Sequence, residues 1–261
     1  MTVPEQRKPR SRAPLTPMRK TALAAGILYV ITFVSIPTLK LYKPARDHAD
    51  FILGAGSSTG VMWGAVLEVI VALAGIGTAV VLYPVAKRQS EKAALGFVAA
   101  RVLEASLIFV GVISLISLVT LRHDVAGTAG ADTASLVTTG HAFVAVYDWA
   151  FLLGQSLMPV INALCLGYVM YRSRLVPRII PTVGLLGAPL LLASDVAIFS
   201  GVYEQGTSLA ALGALPIAAW EFSLGVWLIV KGFNPSPITA PNNPDTTNNG
   251  FIAAQPQPAV R

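Results

Sequence analysis

Apolar residues gather into six long stretches separated by short polar segments, at roughly 20–42, 61–83, 95–121, 136–171, 179–203 and 209–231. A helix rises about 1.5 Å per residue, so about 20 residues cross the hydrocarbon core of a bilayer. The pattern predicts six spanning helices. The fourth stretch is overlong, which predicts a tilt, a projection from the membrane or a bend at Pro159. Residues 1–18 are basic and contain proline, and residues 234–261 (NPSPITAPNNPDTTNNGFIAAQPQPAVR) are rich in Pro, Asn and Thr without apolar periodicity. Both tails are expected to be disordered. The fold class is therefore an all-α polytopic integral membrane bundle, with a six-helix transmembrane domain at 19–233.

Composition points the same way. With 54% hydrophobic residues, 12% charged residues and a mean hydropathy of +0.65, the chain lies outside the range of soluble domains. The first stretch exceeds a signal-peptide core and no small-x-small cleavage site follows it, so it is expected to remain as a helix. The single cysteine, Cys165, excludes an intramolecular disulfide and reads as an apolar filler within the fourth helix.

Charge distribution sets the topology. Six spans put both termini on one side, and that side collects Arg7, Lys8, Arg10, Arg12, Arg19, Lys20, Lys87, Arg88, Lys92, Arg172, Arg174, Arg178, Lys231 and Arg261. The opposite side holds Lys40, Lys43, Arg46 and Arg122, and Arg101 lies within the third span. Fourteen against four places both termini in the cytoplasm, and the setting expected is a bacterial inner membrane. The net charge of +6 is then a product of topology, with anionic lipid headgroups as its partner and no need of nucleic acid.

Polar residues inside the spans carry the candidate chemistry. Five carboxylates fall within predicted helices: Glu68, Glu104, Asp148, Asp195 and Glu221, with only Arg101 at depth to balance them. Each charge at the centre of a lipid-facing helix costs on the order of 2.5–3.5 kcal/mol on the insertion scale. They must face one another, water or protein. Small residues at helical spacing support this: Gly64, Glu68, Ala72, Gly75 and Ala79 share one face, as do Ala214, Ala218, Glu221 and Gly225, and less regularly Gly184, Ala188 and Asp195.

In the fourth span His141, Asp148, Gln155 and Asn162 recur every seven residues. They align over roughly 30 Å with about 20° of drift per step, a polar seam through the membrane. Arg101 and Glu104, three apart, share a face of the third span and can pair there. Asp148 is expected to face Arg101 or another interior group. Two uses follow: a proton relay or path for a small molecule or ion, and hydrogen-bonded glue between helices.

Catalytic signatures are sparse. GAGSS at 54–58 lacks the strand, Lys and helix of a nucleotide site, and no cofactor is expected. His48, His123 and His141, with Asp47, Asp50 and Asp124, all fall on the far side from the termini and would need to converge to make a membrane hydrolase. No spacing enforces that, so no metal is assigned. A third alternative is an assembly or sensor subunit that uses the small-residue faces to hold a membrane partner.

Several blocks in order carry a resemblance: GILYVITFVSIPTLKLY (26–42), ILGAG (52–56), RVLEA around Arg101 and Glu104, DWAFLLG (148–154), NALCLGYVMYRSRLVPR (162–178) and WEFSLGVWLIVKGF (220–233). The chain resembles the bacterial membrane-protein family catalogued as domain of unknown function 4386. The resemblance implies a six-helix membrane protein and assigns no activity, substrate or catalytic residue. Family members often carry His where this chain has Tyr147, a departure that removes the imidazole from any His–Asp pair there.

Overall fold

The computed structural model describes residues 15–48, 50–125, 132–236 and 238. Among them the regular elements are all helical, and six helical segments are long and apolar enough to cross a membrane. The expectation of disorder at 1–18 and 234–261 falls mostly outside the described residues. Of the ends that are described, Pro17 already opens a helix, capped by the Thr16 hydroxyl, and Asn234 and Ser236 are hydrogen-bonded.

The first span is two helices, α1 (Pro17–Thr32) and α2 (Ser35–Leu41). Pro37 has no N–H to donate to the Phe33 carbonyl four residues earlier, so the regular ladder cannot continue through that point. Tighter bonds replace it, from Ile36 N to Phe33 O at 3.1 Å and from Val34 N to Ile31 O at 3.0 Å. After α2 come α3 (Lys43–Asp47) and a single 3-10 turn (Phe51–Leu53). The second and third spans are α4 (Ser58–Ala86) and α5 (Glu91–Val125).

The fourth span joins α6 (Thr133–Phe151) to α7 (Met158–Ser173) through a π-helical turn, Leu152–Leu157. The departure expected at Pro159 is this wider turn. The proline removes one donor just beyond it, and the widened ladder absorbs the loss. The last two spans are α8 (Ile179–Phe199) and α9 (Ser208–Val230).

Consecutive spans pack side by side, and α9 returns to lie against α1, closing a ring of six. Closure depends on two glycines. A Cβ on Gly26 would sit 2.6 Å from the Gly225 carbonyl oxygen, so only hydrogen allows this backbone approach. Arg19 fastens the same seam by donating to the free carbonyls at the end of α9, Leu228 O at 2.7 Å and Ile229 O among them. Arg88 Nη1 reaches Ile238 O at 3.0 Å and Asn234 N reaches Leu175 O at 2.7 Å. The two described chain ends and the α4–α5 and α7–α8 turns therefore share one face, called here the terminal face.

The interior is zoned. Toward the terminal face it is filled by apolar side chains, including Tyr29, Leu82, Phe97, Leu166, Met170, Trp220, Leu224 and Leu228. A second apolar cluster, around Tyr42, Phe51, Leu115 and Tyr147, ties α5 and α6 to the segment after α2. Between the two clusters lies a belt of buried polar groups: Glu68, Arg101, Glu104, Asn162 and Asp195. At the far face Arg122 donates to four carbonyls, of Phe51, Gly54, Ala55 and Gly56, at 2.8–2.9 Å. The GAGSS loop therefore turns carbonyls toward a cation, whereas a phosphate cradle would present N–H groups.

Candidate functional site

Arg101 sits in the third turn of α5, only 1% exposed. Its Nη1 donates to Glu104 at 3.0 Å, one helical turn on, and its Nη2 donates to Glu221 of α9 at 2.6 Å. The rings of Tyr29 and Phe97 lie 5.2 and 5.8 Å from the guanidinium. One cation thus holds two carboxylates from opposite parts of the chain at one point, walled by aromatic faces on the terminal side. Such a cluster persists in a low-dielectric interior only because each charge is paired and hydrogen-bonded. Asn162 Nδ2 adds a bond to Glu104 at 2.8 Å, while Asn162 Oδ1 and Arg101 Nε have no partner.

Two other buried acids have no cation among the described residues. Glu68 accepts from the Thr38 hydroxyl at 2.6 Å and from Gln155 Nε2 at 2.9 Å. Asp195 accepts from Ser156 at 2.6 Å through Oδ1, and its Oδ2 has no partner.

Of the two alternatives expected for Asp148, Arg101 is not the one it faces. Its partner is Arg46 of α3, at 2.9 Å, in a pair 25% and 34% exposed. Helix rise gives the reason. Asn162, which bonds Glu104 and so marks the Arg101 level, lies fourteen residues (162 − 148) along the same span, about 20 Å away. The seam is thus partitioned: Asn162 joins the Arg101 cluster, Gln155 serves Glu68, Asp148 meets Arg46, and His141 is exposed at the far face. The π turn, which follows Asp148 and contains Gln155, widens the helix there and re-aims the side chains along this stretch.

Four cavities that share lining residues in turn border these groups, Glu68 excepted. At the far face one of about 350 Å³ is lined by His48, His141, Arg46 and Asp148. A second, about 450 Å³, shares Arg46 and Asp148 and adds Trp149, Tyr203, Glu204 and Gln205. A third, about 200 Å³, shares Gln205 and adds Ser156 and Asp195. The fourth, about 170 Å³, shares Ser156 with the third and is lined by Gln155, Arg101, Glu104 and Glu221, with Phe33 and Ser35 from the break in the first span. The series runs from the far face to Arg101, beyond which the apolar filling begins.

Among the described residues the three histidines do not line one cavity. His48 and His141 share a cavity with the guanidinium of Arg46, and His123 does not line it. Among the described residues no group of three His, Cys, Asp or Glu side chains is placed to hold a metal ion.

Sequence reasoning passed over Arg46, Thr38, Ser156 and Gln205. Hydroxyls in spanning helices commonly bond their own backbone, as Thr78 and Ser106 do here, so residue type alone does not single out Thr38 or Ser156. Tyr147 and Tyr42 stack edge-to-face at 5.2 Å, with Arg46 5.6 Å above the Tyr147 ring, and both hydroxyls are buried without a partner.

A ring of six apolar helices around a charged, partly open belt defines a polytopic integral membrane protein. Residues 24–232 match the family model described as "Domain of unknown function (DUF4386)", and the chain belongs to that family. No curated protein and no solved structure matches it.

Proposed function

We propose that the protein is a proton-coupled carrier for a small organic cation, working through the cavities between the far face and Arg101. The observation that carries this reading is the shared lining of four adjoining cavities. They are ranged between the far face and the Arg101–Glu104–Glu221 cluster, with apolar packing on the terminal side of it, and in this reading they form one route. A route open at one end and packed at the other is what one state of an alternating-access device requires. Charge supports the cargo class. Arg101 is shared by Glu104 and Glu221, and Asp195, which lines the third cavity, has a hydrogen-bond donor but, among the described residues, no cation, so acidic groups outnumber basic ones along the lining. A proton or a cation supplies what these carboxylates lack.

In this reading the basic terminal face lies in the cytoplasm of a bacterial inner membrane against anionic headgroups, and the far face is outside. The test uses proteoliposomes with the pH dye pyranine in the lumen and guanidinium or tetramethylammonium added outside, both charged at all relevant pH values. Wild type is expected to alkalinise the lumen as protons leave in exchange, and Glu104→Gln or Glu221→Gln to abolish the response. No response to either cation beyond that of protein-free vesicles would contradict the reading.

A further inference from the structure

Asp195 stands apart from the other buried acids. It is only 5% exposed and lies one turn from the far end of α8. Ser156 satisfies one carboxylate oxygen, and among the described residues the other has no partner. The adjoining cavity of about 200 Å³ has no Lys, Arg or His in its lining, so the carboxylate meets no counter-charge there. A buried carboxylate with a free acceptor and no cation is costly unless a donor comes from elsewhere.

The rest of the lining says what such a donor would be attached to. Leu39, Leu152, Ile198 and Ala211 surround the space with hydrocarbon, and Phe151 offers an aromatic ring. Gln205 also lines this cavity, and its amide donates an N–H to the Asp148 carbonyl at 2.9 Å, so its oxygen is not used in that bond. An unpaired carboxylate in a lining of hydrocarbon and an aromatic residue complements an ammonium group on a small apolar body. An anion finds no counter-charge here. The volume is below that of sites for drug-sized ligands, which start at about 300 Å³, so the ligand is small.

We infer that the cavity between α6, α8 and α9 is a binding subsite for a small primary ammonium compound, with Asp195 as its anionic anchor. The subsite sits between the far-face cavity, through Gln205, and the Arg101 cavity, through Ser156. It deepens the carrier reading by naming a cargo class and an intermediate stop, and it is tested by binding alone, without flux.

The experiment is isothermal titration of the purified full chain in detergent micelles with benzylammonium chloride, using protein-free micelles as the baseline. Wild type is expected to bind saturably, Asp195→Asn at least tenfold more weakly, and Glu91→Gln, on the terminal face, as wild type. Benzyl alcohol, of the same shape without the charge, is expected not to compete. Undiminished binding by Asp195→Asn, or equal competition by benzyl alcohol, overturns the inference. Should Asp195→Asn fail to fold, Ala210→Leu decides: this part-buried position lines the cavity, and the larger side chain narrows it while leaving the carboxylate, so lost binding supports the subsite and retained binding refutes it. Failed ion exchange with intact Asp195-dependent binding would refute the carrier reading while leaving the subsite in place.

Discussion

Arg101 Nη2 lies 2.6 Å from Glu221 Oε1 across 120 residues of sequence, and this contact joins the third span to the last. Removing the cation alone would leave Glu104 and Glu221 facing each other in a low-dielectric interior. Breaking a buried pair in this way typically costs about 3–5 kcal/mol, whereas removing all its charges together is often nearly neutral. Arg101→Met is therefore predicted to lower stability by about that amount, and Arg101→Met with Glu104→Gln and Glu221→Gln to recover more than half of it. Denaturation in mixed micelles measures both. Equal loss in the single and triple variants would show that the packing of the guanidinium on Tyr29 and Phe97 matters more than its charge.

Asp148→Asn should behave differently although it too breaks an ion pair. The pair with Arg46 is a quarter to a third exposed, and partly solvated pairs are worth about 0–1 kcal/mol. Its predicted effect on stability is below about 1 kcal/mol in the same assay. A loss comparable with that of Arg101→Met would mean that Arg46 and Asp148 are shut off from water.

Ring closure through Gly26 and Gly225 predicts that Gly26→Val separates α1 from α9. A Cβ there meets backbone, which cannot swing aside as a flexible side chain does. Overpacking of this kind costs about 1–3 kcal/mol. A lower unfolding midpoint is expected for Gly26→Val and little change for Ile27→Val, whose side chain is exposed on the outside of the ring. Identical midpoints for the two would argue against the close approach.

At the far face, Arg122→Gln removes a guanidinium that four carbonyls share. The expected result is faster deuterium uptake in residues 50–57, with the centre of α5 unchanged. Unaltered uptake in the loop would show that its turns hold without the arginine.

How much of this was legible beforehand differs by level. Spans could be read to within a few residues, such as 61–83 against Ser58–Ala86, because hydrocarbon thickness acts on every residue of a helix at once. The break in the first span was visible only as Pro37, a single residue in an apolar run. That Glu68, Glu104, Asp195 and Glu221 face inward followed from the cost of charge in lipid. The Arg101–Glu104 pair followed from its spacing of three, but the partners on other helices did not: Arg46 meets Asp148, and Ser156 meets Asp195, through contacts that depend on how the ring closes and how the π turn re-aims the fourth span. Helical periodicity fixes a face and carries no information about what packs against it.

The central claim is that the interior is reached from the far face and sealed toward the terminal face. Its most direct test places one cysteine in the Arg101 cavity, Ala214→Cys, and a reference on the terminal face, Lys231→Cys, each with Cys165→Ser. A membrane-impermeant cationic thiol reagent is applied to sealed vesicles of both orientations. The account predicts that Ala214→Cys reacts only from the side opposite to the one that labels Lys231→Cys. Reaction of both positions from the same side, or no reaction at Ala214→Cys from either, would contradict it.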